Sequence, residues 1–354
     1  MMASGDRSSP ALQNNSNGFK RFLAAVGDGV RAWNISPHLF EISIYDPNTK
    51  QLISRRPYHW YERIMIKVLQ AATTFWRSLR LREATEVRIP CLGTEGLLAN
   101  FLHVLEVAHR VRPGARLHVD WTLKGSEIGF RYGKVGENVW PGLFHPVGSR
   151  NGDAFHADSP LDFAFWGSGK DYLTGRSLDL HREAYGQTYA KWVEVTNARV
   201  CAEVEAVQAR MRGRFCVGVH RRVGNTMVAN FQRDGAVPTL QKLLDRIHAE
   251  VRAANAADWM VFLATDDSQV VPIFLEALGD RLIVRNEVQR TTEQGTEVHF
   301  GEWGKVSGSD AEDVLIDTLL LAKCNVLIHA ASSISTAASL INPKLVLARV
   351  SGAL

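Results

Sequence analysis

The chain has 354 residues, 45% hydrophobic and 22% charged, a balance that excludes a wholly disordered, collagenous or fibrous protein and suggests about two domains. Forty-one Lys and Arg against 37 Asp and Glu leave a formal charge of +4, too small an excess at this length to argue for nucleic acid. The four cysteines, Cys91, Cys201, Cys216 and Cys324, form no CxxC pair, so buried free thiols are expected rather than a disulfide framework or a zinc site.

Residues 1–18 are rich in Ser, Asn, Gly and Pro and read as part of a disordered lead of about 30 residues. They contain no apolar core of a signal peptide, so a cytoplasmic protein is expected. The one charge-free window of 20 residues, Cys324 to Pro343, holds His329, several serines and two asparagines and is too polar for a membrane span. Alternating Phe40, Ile42 and Ile44, a turn at Asp46 to Thr49 and then Gln51 to Ile53 predict a hairpin over 40–54. The spacing of Met65, Val68, Leu69, Ala72, Phe75, Trp76 and Leu79 predicts a helix over 60–82. Its basic end, Arg77, Arg80 and Arg82, is either an ordinary solvated face or a peripheral contact for anionic lipid.

An α/β pattern follows. Glu86–Pro90 reads as a strand, Leu97–Val111 as a helix stopped by Pro113-Gly114, and Arg116–Asp120 as a strand, together one βαβ unit. Residues 180–212 read as one long helical stretch. The cycle then restarts, with strands at Phe215–His220, Trp259–Ala264, Arg281–Val284 and Asn325–His329. Between and after them come helices at Leu240–Ala254, Ser268–Leu278, Glu312–Ala322 and Ile334–Leu340. The expected fold is α/β with two Rossmann-like domains facing a cleft, divided as 31–205 and 206–354.

Ligands of open parallel sheets sit beyond the carboxyl ends of the strands, so the residues there are the candidates. In the first module these are Gly93, Glu95, Asp120 and Trp121. In the second they are His220, Arg221, Arg222, Gly224, Asn225, Asp266, Asp267, His329, Ser332 and Ser333. An arginine fork suits phosphate oxygens, a Ser-opened helix N-terminus suits an anion, and Asp266 or Asp267 suits the donors of a base or ribose. Each has a plainer reading: a surface arginine, a turn aspartate, a helix cap, a structural histidine. No GxxxxGK[ST] run occurs, which argues against a P-loop nucleotide hydrolase. Trp121, Trp140 and Trp166 are either sugar platforms or core residues.

Phe215-Cys-Val-Gly-Val-His-Arg-Arg-Val-Gly-Asn225, Val261-Phe-Leu-Ala-Thr-Asp-Asp267, the helix Asp313–Cys324 and the Ser332-Ser333 turn together resemble the α-1,6-fucosyltransferases, most closely the bacterial nodulation fucosyltransferases. In the first module, Gly93 to Asn100, Val119-Asp-Trp121 and Gly136-Glu-Asn-Val-Trp140 are similar to the same family. The resemblance covers roughly 86–343. It implies a GT-B fold, an inverting transfer of fucose from GDP-fucose to a glycan hydroxyl, and no metal or other cofactor. On residues, it implies Arg222 on the β-phosphate, His220 and Asp266 near the nucleoside, and Ser332 and Ser333 in the phosphate loop, with Arg221, Gly224, Asn225 and Asp267 as further donor-side residues. Two positions depart from the family pattern. Arg221 stands in a usually apolar slot, and Thr226–Asn230 lacks the family's carboxylate, which leaves Glu95 and Asp120 as candidate bases on the acceptor side. A catalytically degenerate binding protein and a transferase for another nucleotide sugar stay open as alternatives.

Overall fold

The computed structural model describes residues 41–45, 52–57, 82–91, 96–122, 132–145, 176–222, 239–290, 308–330 and 332–350, with backbone alone for 41–45, 52–57, 176–181 and 308–309. The expected N-terminal lead and nearly all of the helix expected over 60–82 lie outside these residues. The chain divides into two units, Met1–Arg77 and Ser78–Leu354. In the first, β1 (Glu41–Tyr45) and β2 (Leu52–Pro57) form the antiparallel hairpin that the alternation predicts.

The second unit opens with the expected βαβ: β3 (Glu86–Pro90), α1 (Leu97–Arg110) and β4 (Arg116–Asp120), the strands parallel and paired from Glu86↔Arg116 to Pro90↔Asp120. Leu97, Phe101, Val104, Leu105 and Ala108 of α1 are buried on one stripe. Gly114, at φ +85°, turns the chain into β4.

The stretch read as one helix over 180–212 is two helices, α2 (Arg176–Trp192) and α3 (Ala198–Met211). The break has a tertiary cause. Residues 194–197 pair their backbone with 143–145 instead of continuing the helix: His145 N–H donates to the Glu194 carbonyl at 2.8 Å and Thr196 N–H to that of Leu143 at 3.1 Å. Asn197 then caps α3 by accepting from Val200 N–H. Periodicity within 180–212 carries no sign of a partner 50 residues upstream.

The remaining elements are β5 (Phe215–Arg221), α4 (Leu240–Ala253), β6 (Trp259–Thr265), α5 (Val270–Leu278), β7 (Leu282–Val284), α6 (Gly308–Ala322), β8 (Val326–His329), α7 (Ser333–Ile341) and β9 (Val346–Arg349). They build a parallel sheet of order β7-β6-β5-β8-β9, so the α/β class holds. Strand β9 was not foreseen; four residues directly behind a helix offer too short a pattern to distinguish from a tail.

Strand alternation divides the interior. Val217, Val219, Val261, Leu263 and Ile328 pack with Ile247 of α4 and Phe274 of α5. Cys216, Met260, Phe262 and Leu327 face the other way and join Leu320 of α6, Ala337 of α7 and the whole β3–α1–β4 core, including Val87, Phe101 and Trp121. The second interior is therefore continuous across the expected 205/206 boundary, which falls inside α3. All four thiols are free; Cys216 and Cys324 are buried, whereas Cys91 is half-buried and Cys201 is exposed, contrary to the expectation of burial throughout.

Helices α2 and α7 approach closely. A Cβ on Gly186 would lie 2.3 Å from Pro343 Cγ and 3.1 Å from the Leu340 carbonyl. Overpacking of this kind costs about 1–3 kcal/mol. Gly186→Ala is therefore expected to lower the melting temperature by several degrees. An unchanged melting temperature would mean that α2 does not pack on the end of α7.

Candidate nucleotide site

In the five-stranded sheet, the connections through α4 and α5 run outward from β5 to β7, whereas α6 carries the chain back across to β8. The order reverses between β5 and β8, and the carboxyl edge at such a reversal is where open α/β sheets bind ligands. A cleft of about 610 Å³, counting its open mouth, lies there. His220, Arg222 and Asp266 line it from the strand ends, Ile334 from the start of α7, and Asp313 and Asp317 from α6.

The register pairs His220 with His329 on neighbouring strands. His220 is buried, and its Nδ1 lies 3.3 Å from Ser332 Oγ. Burial foremost, then the charge of Arg222 and the nearby His329, push its pKa down to about 3, so the ring is neutral at pH 7. His329 is bonded through Nδ1 to the Ala330 carbonyl at 2.9 Å and is likewise held below the usual range, mainly by burial.

Ser332 is the N-cap of α7 in a reciprocal capping box: its hydroxyl accepts from Ser335 N–H at 3.1 Å, and Ser335 Oγ accepts from Ser332 N–H at 3.1 Å. The Thr336 amide is taken by the Ser332 carbonyl. The amides of Ser333 and Ile334 are left over by helix geometry, and the Ser333 hydroxyl makes no hydrogen bond among the described residues. Of the two serines, Ser332 is thus committed to the helix and Ser333 is available to an anion.

The neighbouring arginines part ways. Arg222 Nε donates to Asp266 Oδ2 at 3.2 Å, and its two Nη groups make no hydrogen bond among the described residues. Arg221 does not line the cleft; its Nη2 is 4.0 Å from Asp267 Oδ2, and its Nε and Nη1 are buried without a partner among the described residues. Burial lowers its pKa, against the pull of Asp267 and Asp266. Asp267 is itself buried and accepts the Gln269 amide at 2.9 Å, a turn role outside the cleft.

Asp120, at the end of β4, is bound by Arg88 Nε at 2.9 Å, by Arg88 Nη2, by the Thr122 amide at 3.1 Å and by the Thr122 hydroxyl. Burial alone would raise its pKa, but the bonds from Thr122 and Arg88 outweigh it and hold the carboxyl below the usual range. A carboxylate so held is a poor proton acceptor. Trp121 and Trp140 are fully buried, their rings edge-to-face at 4.9 Å, so they are core residues and not sugar platforms. Glu95, Gly93, Gly224, Asn225 and Trp166 lie outside the described residues.

The sequence reading passed over Asp310, Asp313 and Asp317 as site residues, although their i, i+3, i+7 spacing on α6 was a visible signal of one shared face. Val288 and Gln289, which wall the cleft from the loop after β7, carry no comparable signal. Among the described residues, no cluster of three or more His, Cys, Asp or Glu is arranged to hold a metal ion. No helix among them is long and apolar enough to cross a membrane.

The family model of nodulation protein Z (NodZ) matches residues 178–351. Similar solved structures include the fucosyltransferase NodZ from Bradyrhizobium, 17% identical, covering 73% of this chain and 94% of that one with a TM-score of 0.43. A crystal of the NodZ α-1,6-fucosyltransferase soaked with GDP-fucose is likewise 17% identical over 73% of this chain and 93% of that one, TM-score 0.43. The apo form of POFUT1 is 11% identical over 75% of this chain and 97% of that one, TM-score 0.39. No curated protein matches the sequence. The residues matched by the nodulation protein Z model, 178–351, hold the five-stranded sheet and its cleft.

Proposed function

We propose that the protein is a glycosyltransferase that moves fucose from GDP-fucose to a glycan hydroxyl, with the donor bound in the cleft between β5 and β8. The observation that carries the reading is the pairing of two kinds of uncommitted donor at one sheet edge: the Nη groups of Arg222 and the leading amides of α7. Together they match a diphosphate, one by a planar fork and the other by a helix N-terminus. The match of residues 178–351 to the nodulation protein Z model supports the choice of donor, since a NodZ crystal was soaked with GDP-fucose. Residues 31–205 and 206–354 serve in this reading as the acceptor and donor halves of a GT-B enzyme.

The proposed reaction is a single inverting displacement by the acceptor oxygen on the anomeric carbon. The C–O bond to the β-phosphate breaks as the new glycosidic bond forms, the electron pair leaves with GDP, and the acceptor hydroxyl gives up its proton to water or to the departing diphosphate. Arg222 stabilises the charge that grows on the leaving diphosphate, the task a metal ion performs in other transferases. Asp266 orients the guanidinium through Nε and leaves both Nη groups facing the phosphate. Neutral His220 holds the Ser332 cap and with it the start of α7.

One observation favours the second reading, a binding protein without transfer. The run Thr226–Asn230 carries no carboxylate, and Asp120 is locked to Arg88 and Thr122. GDP binding without any transfer or hydrolysis of GDP-fucose would decide for it.

GDP is expected to raise the melting temperature without added metal, because only a bound nucleotide stabilises the native state, and UDP is expected to leave it unchanged. Equal shifts would remove the claim for guanine. Mass detection of a deoxyhexose added to an oligosaccharide acceptor is expected in excess EDTA; activity lost there and restored by magnesium or manganese would overturn metal independence.

Losing one donor to a developing charge costs about 10²–10³ in rate. Arg222→Lys keeps the charge but not the fork, so turnover is expected to fall by that amount with the circular dichroism unchanged. Arg221→Lys, turned to the other face, is expected to keep most of the activity. A dead Arg221→Lys beside a near-normal Arg222→Lys would reverse the assignment.

A further inference from the structure

The cleft poses an electrostatic problem. Asp266, Asp310, Asp313 and Asp317 all line it, and Arg222 is the one arginine among its lining residues. A site for a diphosphate walled by carboxylates repels its ligand unless those charges are balanced from behind. The balance comes from Arg285, the residue directly after β7.

Its side chain is 5% exposed and is enclosed by two helices. Towards α3, Nε and Nη2 donate to Glu203 Oε2 at 3.2 and 2.7 Å. Towards α6, Nη1 donates to the Asp313 carbonyl at 3.1 Å and to Asp317 Oδ1 at 3.1 Å, and Nη2 donates to Asp313 Oδ1 at 2.7 Å. All five N–H groups of the guanidinium are used. Arg199 continues the network to Glu312 at 2.7 Å, Asp313 at 2.8 Å and Glu203 at 2.9 Å.

The consequence for the cleft lies in Asp317. Its Oδ1 is fixed by Arg285, while its Oδ2 makes no hydrogen bond among the described residues. We infer that Arg285 is a positioning residue for base recognition: by holding Oδ1 of Asp317 it presents Oδ2 to the cleft as an ionised acceptor for the adjacent N–H donors of a guanine edge. The inference rests on the proposed function and adds to it the residue that makes Asp317 competent. Lysine in place of Arg285 has a point charge and no fork, so it cannot hold Glu203, Asp313 and Asp317 at once.

The groups facing Asp317 set the pH response. They are Arg285 and Arg290 from the segment after β7, Asp313 from its own helix, Glu203 behind Arg285, and Arg222, Asp266 and neutral His220 around the cleft. Burial is the largest influence and pushes the carboxyl up to about 6, against Arg285. Below that pH the carboxyl takes a proton and loses its charge, so guanine recognition weakens as pH falls.

The test is calorimetry of the full chain from about pH 5 to about pH 8, with GDP and, separately, pyrophosphate. Pyrophosphate controls for protonation of the phosphates and reports the phosphate site alone. For the wild type, the ratio of GDP to pyrophosphate affinity is expected to fall as pH drops through about 6. In Arg285→Lys the ratio is expected to drop roughly tenfold at neutral pH and the step to move to higher pH, with pyrophosphate affinity kept. In an Asp317→Asn background, Arg285→Lys is expected to change the ratio no further. If Arg285→Lys does not fold, Glu203→Gln removes the opposite anchor of the guanidinium, and the same drop in ratio is expected in smaller measure. An unchanged ratio in the folded variant, or an equal loss of both ligands, overturns the inference. Wild-type protein that binds pyrophosphate but not GDP overturns it as well; wild-type protein that binds neither overturns the proposed function itself.

Discussion

Helix α7 is held at both ends, and the cleft depends on that clamp. At its N-terminus the Ser332–Ser335 box and the His220 ring fix the first turn. At its C-terminal end and just beyond, Arg182 of α2 donates to the carbonyls of Ser339 at 3.5 Å, Asn342 at 3.4 Å and Leu345. A guanidinium at the carbonyl end complements the helix dipole there. Gly186, one turn further along α2, lets Pro343 come close. A nine-residue helix has little stability of its own, so the direction in which its free amides point is set by these neighbours.

The same clamp explains why His220 must be neutral. A protonated ring would sit beside Arg222 in a space that burial already makes costly for charge, and it would lose the lone pair able to accept from Ser332. Burial keeps the proton off, so the positive charge facing the cleft comes from Arg222 and the helix terminus. The opposite problem arises on α6, where burial pushes the Asp317 carboxyl up and Arg285 draws it back. Removing one member of such a buried network costs more than the network contributes as a whole. This ties Glu203 on α3 and Arg285 after β7 to residues that line the cleft.

Most of the elements were legible because each buries one face. Glu86–Pro90, Arg116–Asp120 and Leu240–Ala253 announce themselves by alternation or by an apolar stripe. What was illegible depends on contacts distant in sequence. The break at 193–197 is imposed by backbone pairing with 143–145, and β9 exists because β8 offers it an edge. In the site, Arg222, His220 and Asp266 were legible from strand-end position. Asp317 was quoted only as part of a helix motif, since an aspartate among leucines does not reveal that an arginine from a different loop meets it.

The choice between the two arginines shows how local and global information combine. Side chains two apart on a strand share a face, so His220 and Arg222 go together and Arg221 goes opposite. Alternation alone gives this pairing but not which face matters. The missing fact is topological: α6 and α7 lie on the face shared by Gly218 and His220, where a Cβ on Gly218 would meet Cys324 Sγ and Leu321 Cδ2, both at 3.1 Å. Gly218 thus marks the face on which α6 packs closest to β5, and two and four residues on, the same face delivers His220 and Arg222 to the cleft. The glycine that lets a helix approach and the arginine beyond it belong to one stripe of one strand, and Arg221 is excluded by the same geometry that places its neighbour.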